Sequence, residues 1–338
     1  YPLISSTKSV FYIRFLFFSL AIVYILNSNT DTLYKLFISI LLCFSILIFD
    51  GFYQFIFKKN LIGFEMYQGR ISSFFKDELI YGSYLSKFLP IFLSLFFFLK
   101  PKNYKLNIYF SIVFILSTFA ITISGERSAL FLVIITLSYL LFMLKLKFQT
   151  LMIFFIVIFL GISSLLILNK SIHNRLIIFT KNQIVTENKI FFFSEDHTGH
   201  YNSAIDIYKN NNKIIGIGPK NYRNYCYNND KYKNKPFICS SHPHNTYIQI
   251  LLETGIIGFL ILITTFFVLV YFSAKHLYFK LFKNKFLFNN SQISLMAFYI
   301  TVLWPIAPTG SFFNNYLSII YFLPAGLLIW SLKKQSIE

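Results

Sequence analysis

The sequence predicts an all-α polytopic membrane protein, with about nine transmembrane helices in this fragment and one large polar loop on the outer side. Three observations predict it. Hydrophobic residues fill 56% of 338 positions and charged residues only 13%, against about 25% charged in a soluble domain. The apolar residues fall into blocks of spanning length, roughly 20 residues for a hydrocarbon core of about 30 Å. Lysines gather in the short turns between blocks. The 44 Phe partly reflect a codon bias shared with Lys, Asn and Ile, but bias does not produce blocks.

Nine apolar segments are legible, at 10–27, 33–57, 79–99, 106–124, 128–144, 148–168, 246–273, 291–308 and 316–332. Backbone in lipid must satisfy its own hydrogen bonds, which continuous runs achieve only as helices. The division expected is a six-helix N-terminal bundle at 1–168, a large loop at 169–245 and C-terminal transmembrane helices at 246–338. The chain opens at Tyr1 rather than Met, so upstream spans are expected to be missing and no secretory leader is expected to be visible. No window repeats, which argues against a solenoid or an inverted-repeat transporter.

Orientation follows from the cations of the short turns. Lys100, Lys102 and Lys105 mark one turn, and Lys145 and Lys147 another. Lys275, Lys280, Lys283 and Lys285 fill a third, with Lys333 and Lys334 on the tail. Alternation puts all four on one side, which the charge rule makes cytoplasmic. The loop 169–245 and the turns Gly125–Arg127 and Thr309–Asn315 then face outward. Lys8 and Arg14 disagree, preferring the inside where alternation puts them outside; the stretch around 50–78 is a candidate re-entrant segment. The net charge of +18 therefore belongs to membrane-flanking loops and calls for no nucleic acid. Cys43 lies in a span, whereas Cys226 and Cys239 share the outer loop, where disulfides persist. Spacing does not decide their state: a disulfide is expected, against two free thiols or half of a metal site.

Three clusters carry possible chemistry. In the first, Gly216, Gly218 and Pro219 form a tight turn whose backbone N–H groups are expected to be available to an anion, with Lys220 and Arg223 following. Alternatively it is only a turn. Further on, His242, Pro243, His244 and Asn245 stand at the mouth of a span. A histidine there can exchange a proton near neutral pH, or it can merely snorkel, and Asn245 can be just an N-cap. The second cluster is Ser124-Gly125-Glu126-Arg127-Ser128. Arg127 offers a donor fork for phosphate; the alternative is that Glu126 only neutralises it in an interfacial salt bridge. The third is Gly69-Arg70, with Asp77 and Glu78 ahead of Gly82-Ser83-Tyr84, as readily an ordinary polar loop as a site.

These residues resemble the O-antigen ligase and O-antigen polymerase superfamily of bacterial envelope polysaccharide glycosyltransferases. His244-Asn245, then Gly255 and Gly258, are similar to that family's histidine motif after its large periplasmic loop. GIGPKNYR before it and Glu253-Thr254-Gly255 after it look like the same block. GRISSFFKDELIYGSYL (69–85), SGERSA (124–129) and WPIAPTGSFFNN (304–315) also resemble stretches of members. The resemblance implies a multi-pass protein of the bacterial inner membrane with a periplasmic active site and no metal or other cofactor. It implies transfer from an undecaprenyl-diphosphate-linked glycan to a sugar hydroxyl, on lipid A–core for a ligase or on a growing glycan for a polymerase. The family's turn arginine corresponds to Arg127 and its motif histidine to His244. Members often carry an Arg early in the loop, where this chain reads Asp196-His197-Thr198-Gly199-His200. His197, His200 or Arg175, the one loop Arg upstream, would then serve the diphosphate.

The residues fit that chemistry. A departing lipid diphosphate needs cations, with Arg127, Arg70, Lys220 and Arg223 as candidates. A neutral His244 can deprotonate the acceptor hydroxyl. Two other readings compete. A transporter or flippase predicts charges along a path inside the bundle, whereas these cluster at the outer face. A transferase of another fold would need acidic metal ligands, from Asp77-Glu78 or Glu195-Asp196.

Overall fold

The computed structural model describes residues 9–67, 69–186, 189–190, 193–232 and 238–335; Lys8 lies outside them. Among the described residues the protein is all-α apart from a two-residue antiparallel ladder pairing Val185 with Ile190 and Thr186 with Lys189, and isolated bridges pairing Lys59 with Glu65 and Tyr67 with Arg70. The first six principal helices are α1 (Arg14–Ser28), α2 (Asp31–Phe57), α3 (Tyr81–Leu99), α4 (Tyr104–Ile123), α5 (Arg127–Met143) and α6 (Phe148–Leu168). Short helical turns run from Lys170 to Ile184, through a π-helical stretch at Asn174–Ile178. Then come α7 (Glu195–Lys209), α8 (Tyr222–Tyr227), α9 (Thr246–Phe282), α10 (Asn290–Val302) and α11 (Asn315–Gln335).

Helices occupy all nine predicted segments, and seven of them are long and apolar enough to cross a membrane. The exceptions are α5, of 17 residues, and α10, of 13. Segment 291–308 stops being helical at Val302 because Pro305 and Pro308 follow, and the residue before a proline is pushed out of the helical region. The span expected at 246–273 is also interrupted: Gly255 has φ 69° and ψ −166° inside α9.

The chain divides into two compact units. One comprises residues 25–180, 273–301 and those from 331 on. Its core is aromatic, with Phe37, Phe44, Phe92, Phe96 and Phe110 packed where α2, α3 and α4 meet, and Phe96 stacks on Phe110 at 4.0 Å between centroids. At one end of this unit the lysine-bearing turns come together. Ser94 Oγ donates to Ser291 O at 3.0 Å, and Lys145 N to Asn290 Oδ1 at 2.8 Å. Lys280 Nζ donates to Phe142 O at 2.7 Å and Leu144 O at 2.9 Å, and Gln292 Nε2 to Ser331 O at 3.3 Å. The turns that alternation assigned to one side therefore share one end.

The other unit comprises residues up to 24, 181–272 and 302–330. Its polar part is built on α7 and α8 around Ala204, Ile207, Tyr222, Cys226, Tyr232 and Leu252, with a disulfide between Cys226 and Cys239. Arg14 Nη2 donates to Asn315 Oδ1 at 2.7 Å. Arg14 thus lies at the end of the Thr309–Asn315 turn, where alternation places it, and a hydrogen-bond partner offsets the charge rule's preference.

A reporter enzyme that matures only outside the cytoplasm should be active when fused after Asn210 and silent after Lys283. The reverse activities in whole cells would invert the topology.

Candidate active site

The first set of predicted residues gathers around the turn between α4 and α5. The loop before α3 is pinned onto the end of α2 by two buried side chains. Asp50 accepts from Leu61 N at 2.8 Å and from the Ser73 hydroxyl. Gln54 accepts from Ser72 N at 3.1 Å and Ser73 N at 2.7 Å, and donates to Phe64 O at 3.1 Å. This anchoring holds Arg70. Burial lowers its proton affinity, nearby Glu126 partly restores it, and the Arg175 guanidinium lowers it further. A Cβ on Gly125 would stand 3.4 Å from Arg175 Cγ and 3.8 Å from Arg70 Cγ, so both arginines flank that turn. Arg127 and Arg175 both face the Phe179 ring, at 5.3 and 5.1 Å from its centroid. Arg127 also donates to Thr180 Oγ1 at 3.4 Å. Arg175 rides on the π-helical stretch, a local irregularity found at functional sites.

Glu126 departs from the role foreseen for it. Its carboxylate accepts from Gly82 N at 2.6 Å and Ser83 N at 3.0 Å, at the start of α3, where free amides and the helix dipole favour a negative group. Burial still pushes its pKa up to about 7, against those two hydrogen bonds and the charges of Arg70 and Lys87. Three guanidiniums thus gather beside one carboxylate with a raised proton affinity. Among the described residues Arg70 Nε and Arg175 Nε are buried without a hydrogen-bond partner, a costly state that an anion would relieve.

The second set lies in the other unit and rests on the break in α9. With Gly255 out of the helical region, backbone groups on both sides of it need new partners, and loop 213–218 supplies them. Ile217 N donates to Leu252 O at 3.0 Å and Gly218 N to Glu253 O at 2.9 Å. In return Ile256 N donates to Lys213 O at 2.9 Å and Ile257 N to Ile214 O at 3.5 Å. A side chain on Gly255 would run into Ile214 O, and one on Gly216 would meet Leu252 O at 2.5 Å. The expectation that the Gly-Pro turn offers free amides to an anion is therefore corrected. Gly216 N donates to Asn212 O at 3.0 Å, and the next two amides serve the broken helix, whose desolvated carbonyls take them. Gly258, the other motif glycine, admits the Thr254 side chain, which a Cβ would strike.

The same break orders the histidine turn. Glu253, 1% exposed, accepts from Tyr222 N at 3.2 Å and from Gln249 Nε2 at 2.9 Å. Gln249 Nε2 also donates to Ser311 Oγ at 3.0 Å, while its Oε1 accepts from Phe312 N at 2.9 Å. Asn245 caps α9, accepting from Tyr247 N at 2.9 Å and Ile248 N at 3.1 Å, and its amide donates to Pro305 O at 2.8 Å. Thr309 N donates to His244 O at 2.9 Å, with His244 in the left-handed region at φ 58°. A β-carbon there is strained unless its surroundings hold it.

Four histidines meet at this turn. His244 lies 4.0 Å from His242, 5.2 Å from His200 and 5.7 Å from His197 between ring centroids. His200 Nδ1 is 3.0 Å from Ile238 O, His197 Nδ1 2.7 Å from Ser194 Oγ, and His242 Nε2 3.2 Å from Thr309 O. Burial first, then the neighbouring rings His242, His200 and His197, holds His244 down at about 3. Burial likewise lowers His242 to about 4, although the Thr309 carbonyl opposes the shift. Both are neutral at physiological pH.

Arg70, Arg127 and Arg175 thus come together in one unit, and His197, His200, His242 and His244 in the other. Lys220, half-buried with φ 62°, and exposed Arg223 belong to the histidine unit, at the entry to α8. Asp77 and Glu78 are exposed; Glu195 and Asp196 occupy the first turn of α7, where they complement its dipole. Among the described residues no three His, Cys, Asp or Glu converge as metal ligands. Sequence reasoning missed Asp50, Gln54 and Gln249, and the backbone duty of Glu126 and Glu253. Uncharged or singly charged positions in apolar runs were the one available signal.

Residues 112–263 match the family model described as O-antigen ligase. The matched segment is similar to the O-antigen ligase family, which supports the resemblance of the chain's motifs to the O-antigen ligase and polymerase superfamily. The matched segment runs from α4 into α9 and holds Arg127, Arg175, His197, His200, His244, Gly255 and Gly258, while Arg70 and the 304–315 turn lie outside it. No curated protein matches the chain. Ligases and polymerases of that family are enzymes, and the match supports a glycan-transferring function in envelope polysaccharide synthesis for this multi-pass chain.

Two outcomes are expected. Replacing Gly255 by Ala forces a β-carbon into a positive-φ, glycine-only conformation, at about 1–3 kcal/mol, and against Ile214 O. Its melting temperature in detergent should fall well below that of Gly258→Ala, where only the Thr254 side chain must move; equal melting would refute the interlock. The second concerns pH. An unfolded histidine binds a proton near 6.5, but His242 and His244 do so only near 4 and 3. Between those limits the unfolded chain holds more protons at these two sites, so their contribution to stability should fall as pH drops from about 6.5 towards 4, against the opposite contribution of Glu126. His242→Gln with His244→Gln should flatten that fall in a thermal-shift series.

Proposed function

We propose that the protein is a glycosyltransferase of the bacterial inner membrane, acting at the periplasmic face on an undecaprenyl-diphosphate-linked glycan. The acceptor is a sugar hydroxyl, on lipid A–core or on a growing glycan. One observation carries the reading: three arginines gather at one turn, and buried Arg70 Nε and Arg175 Nε lack partners among the described residues. A planar guanidinium offers paired donors to phosphate oxygens, and a diphosphate supplies acceptors and negative charge together.

The roles follow residue by residue. Arg127, Arg70 and Arg175 bind the diphosphate and stabilise the charge that develops on it as the glycosidic bond breaks. Of the two alternatives left open by the sequence, a loop histidine or Arg175, the place of Arg175 beside Gly125 supports Arg175. His244 is the general base. Its neutral state keeps a lone pair for the acceptor proton, and the neighbouring rings His197 and His200 bear on its basicity. Lys220 and Arg223 serve the glycan or phosphate from the α8 side, and Asn245, Gly255 and Gly258 position the histidine turn. No step calls on a divalent ion.

His244→Ala should lose roughly 10²–10⁴-fold in rate while the protein remains inserted and still binds donor. Arg127→Lys should also fail, because a point charge does not reproduce a forked contact, and Arg127→Ala and Arg175→Ala should weaken donor binding. Transfer by purified protein should survive excess chelator. Inserted protein, donor binding and glycan transfer are to be measured in the same membranes. Near-normal transfer by well-inserted His244→Ala would sink the mechanism.

A further inference from the structure

The polar part of the histidine unit has its own core, yet it leaves two adjacent isoleucines outside it. Ile214 is 60% exposed and Ile215 63%. An inward option exists, since Ile217 packs against the core that includes Leu252 and Tyr222. The exposed pair is not loose chain. Asn212 Oδ1 accepts from Ile214 N at 2.9 Å and Ile215 N at 3.2 Å, and Asn212 O accepts from Gly216 N at 3.0 Å. The turn is preformed with both side chains outward, an arrangement that water penalises.

Its backbone partners say what covers it. Lys213 O and Ile214 O accept from Ile256 N and Ile257 N, so the turn is stitched to the point where α9 resumes after its break. From there α9 presents an exposed apolar face: Ile257 50%, Leu260 53% and Ile261 65%. The chain from Gly255 to Ala274 carries no charge until Lys275, a length of roughly 20 residues, enough to cross the hydrocarbon core. Ile256 and Ile257 therefore lie at the edge of that core, and Ile214 and Ile215 extend the same lipid-facing surface. Exposed Lys209 and Lys213 flank the pair, suited to reach headgroup phosphates while the apolar tip enters.

We propose that the Asn212–Gly216 turn is a membrane anchor, with Ile214 and Ile215 inserted among the lipids of the leaflet that faces the large loop. The partner is the phospholipid surface itself. The anchor fixes the depth of the loop that stitches the Gly255 break, and with it the height of the histidine turn above the lipid. The inference rests on exposure, backbone pairing and the continuity of the α9 face; it does not require the transfer reaction.

The test uses the full chain with Cys43→Ser, reconstituted into phosphatidylethanolamine–phosphatidylglycerol vesicles. An environment-sensitive fluorophore is placed on Ile215→Cys and, as a solvent reference on the same unit, on Asn210→Cys. The Cys226–Cys239 disulfide leaves one reactive thiol in each protein. The Ile215 label should emit to the blue of the reference, be quenched severalfold more by lipids nitroxide-labelled near the headgroup, and be severalfold better protected from iodide. Equal iodide quenching at both sites, without quenching by the nitroxide lipids, would overturn the proposal. So would protection that appears only at high protein-to-lipid ratio, which means a second copy of the chain. The readout is independent of transfer, so either outcome leaves the proposed function to its own experiments.

Discussion

The break in α9 at Gly255 is the constraint on which the histidine unit depends. A helix entering lipid cannot leave backbone groups unpaired, because each would cost free energy comparable to a lost hydrogen bond in a medium with no water to replace it. Here the partners come from loop 213–218, through Leu252 O, Glu253 O, Ile256 N and Ile257 N. The exchange needs two backbones in contact, and glycines at 216 and 255 make that approach possible. Everything near the histidine turn is built from this seam. The Gly-Pro turn leads into α8, whose first amide is answered by Glu253, and Glu253 in turn holds Gln249 against the 311–312 backbone.

The arginine cluster is built on a different principle. Its like charges are held together by neighbours that have other work. Glu126 is committed to the amides of Gly82 and Ser83, and Asp50 and Gln54 are committed to the loop that carries Arg70. Among the described residues Glu126 is the carboxylate beside these guanidiniums, and burial raises its own proton affinity. Such a cluster concentrates positive potential in a partly desolvated place, which is what an anionic ligand exploits. The cost of assembling it is borne by the helices that fix the ends of α2, α3 and α5.

Much of this was legible beforehand. Spanning-length apolar runs fix helices because lipid leaves no alternative, and the lysine turns fix which helix ends share a side; contacts such as Lys280 with Leu144 bring those turns together. Arg127 and His244 stood out because a charge or an imidazole beside an apolar run is expensive and needs a reason. Two details were not legible for a common cause. The Ile217 and Gly218 amides looked available, and the kink at Gly255 near the start of the 246–273 segment was hidden, because local patterns do not reveal the distant partners Leu252 and Glu253. Once those partners are present, the amides are spent and the helix is kinked.

The sequence by itself determined the class of the protein, the positions of its spans and the residue types able to meet a diphosphate or a proton. Those depend on composition, period and charge, which are properties of neighbours along the chain. Only the tertiary structure decided that Arg175 joins Arg70 and Arg127 while His197 and His200 join His244. It alone decided that Glu126 and Glu253 answer backbone amides. Those assignments depend on which buried groups find one another in space, and a buried polar group is satisfied by the partner that packing brings near, however far off it lies in the chain.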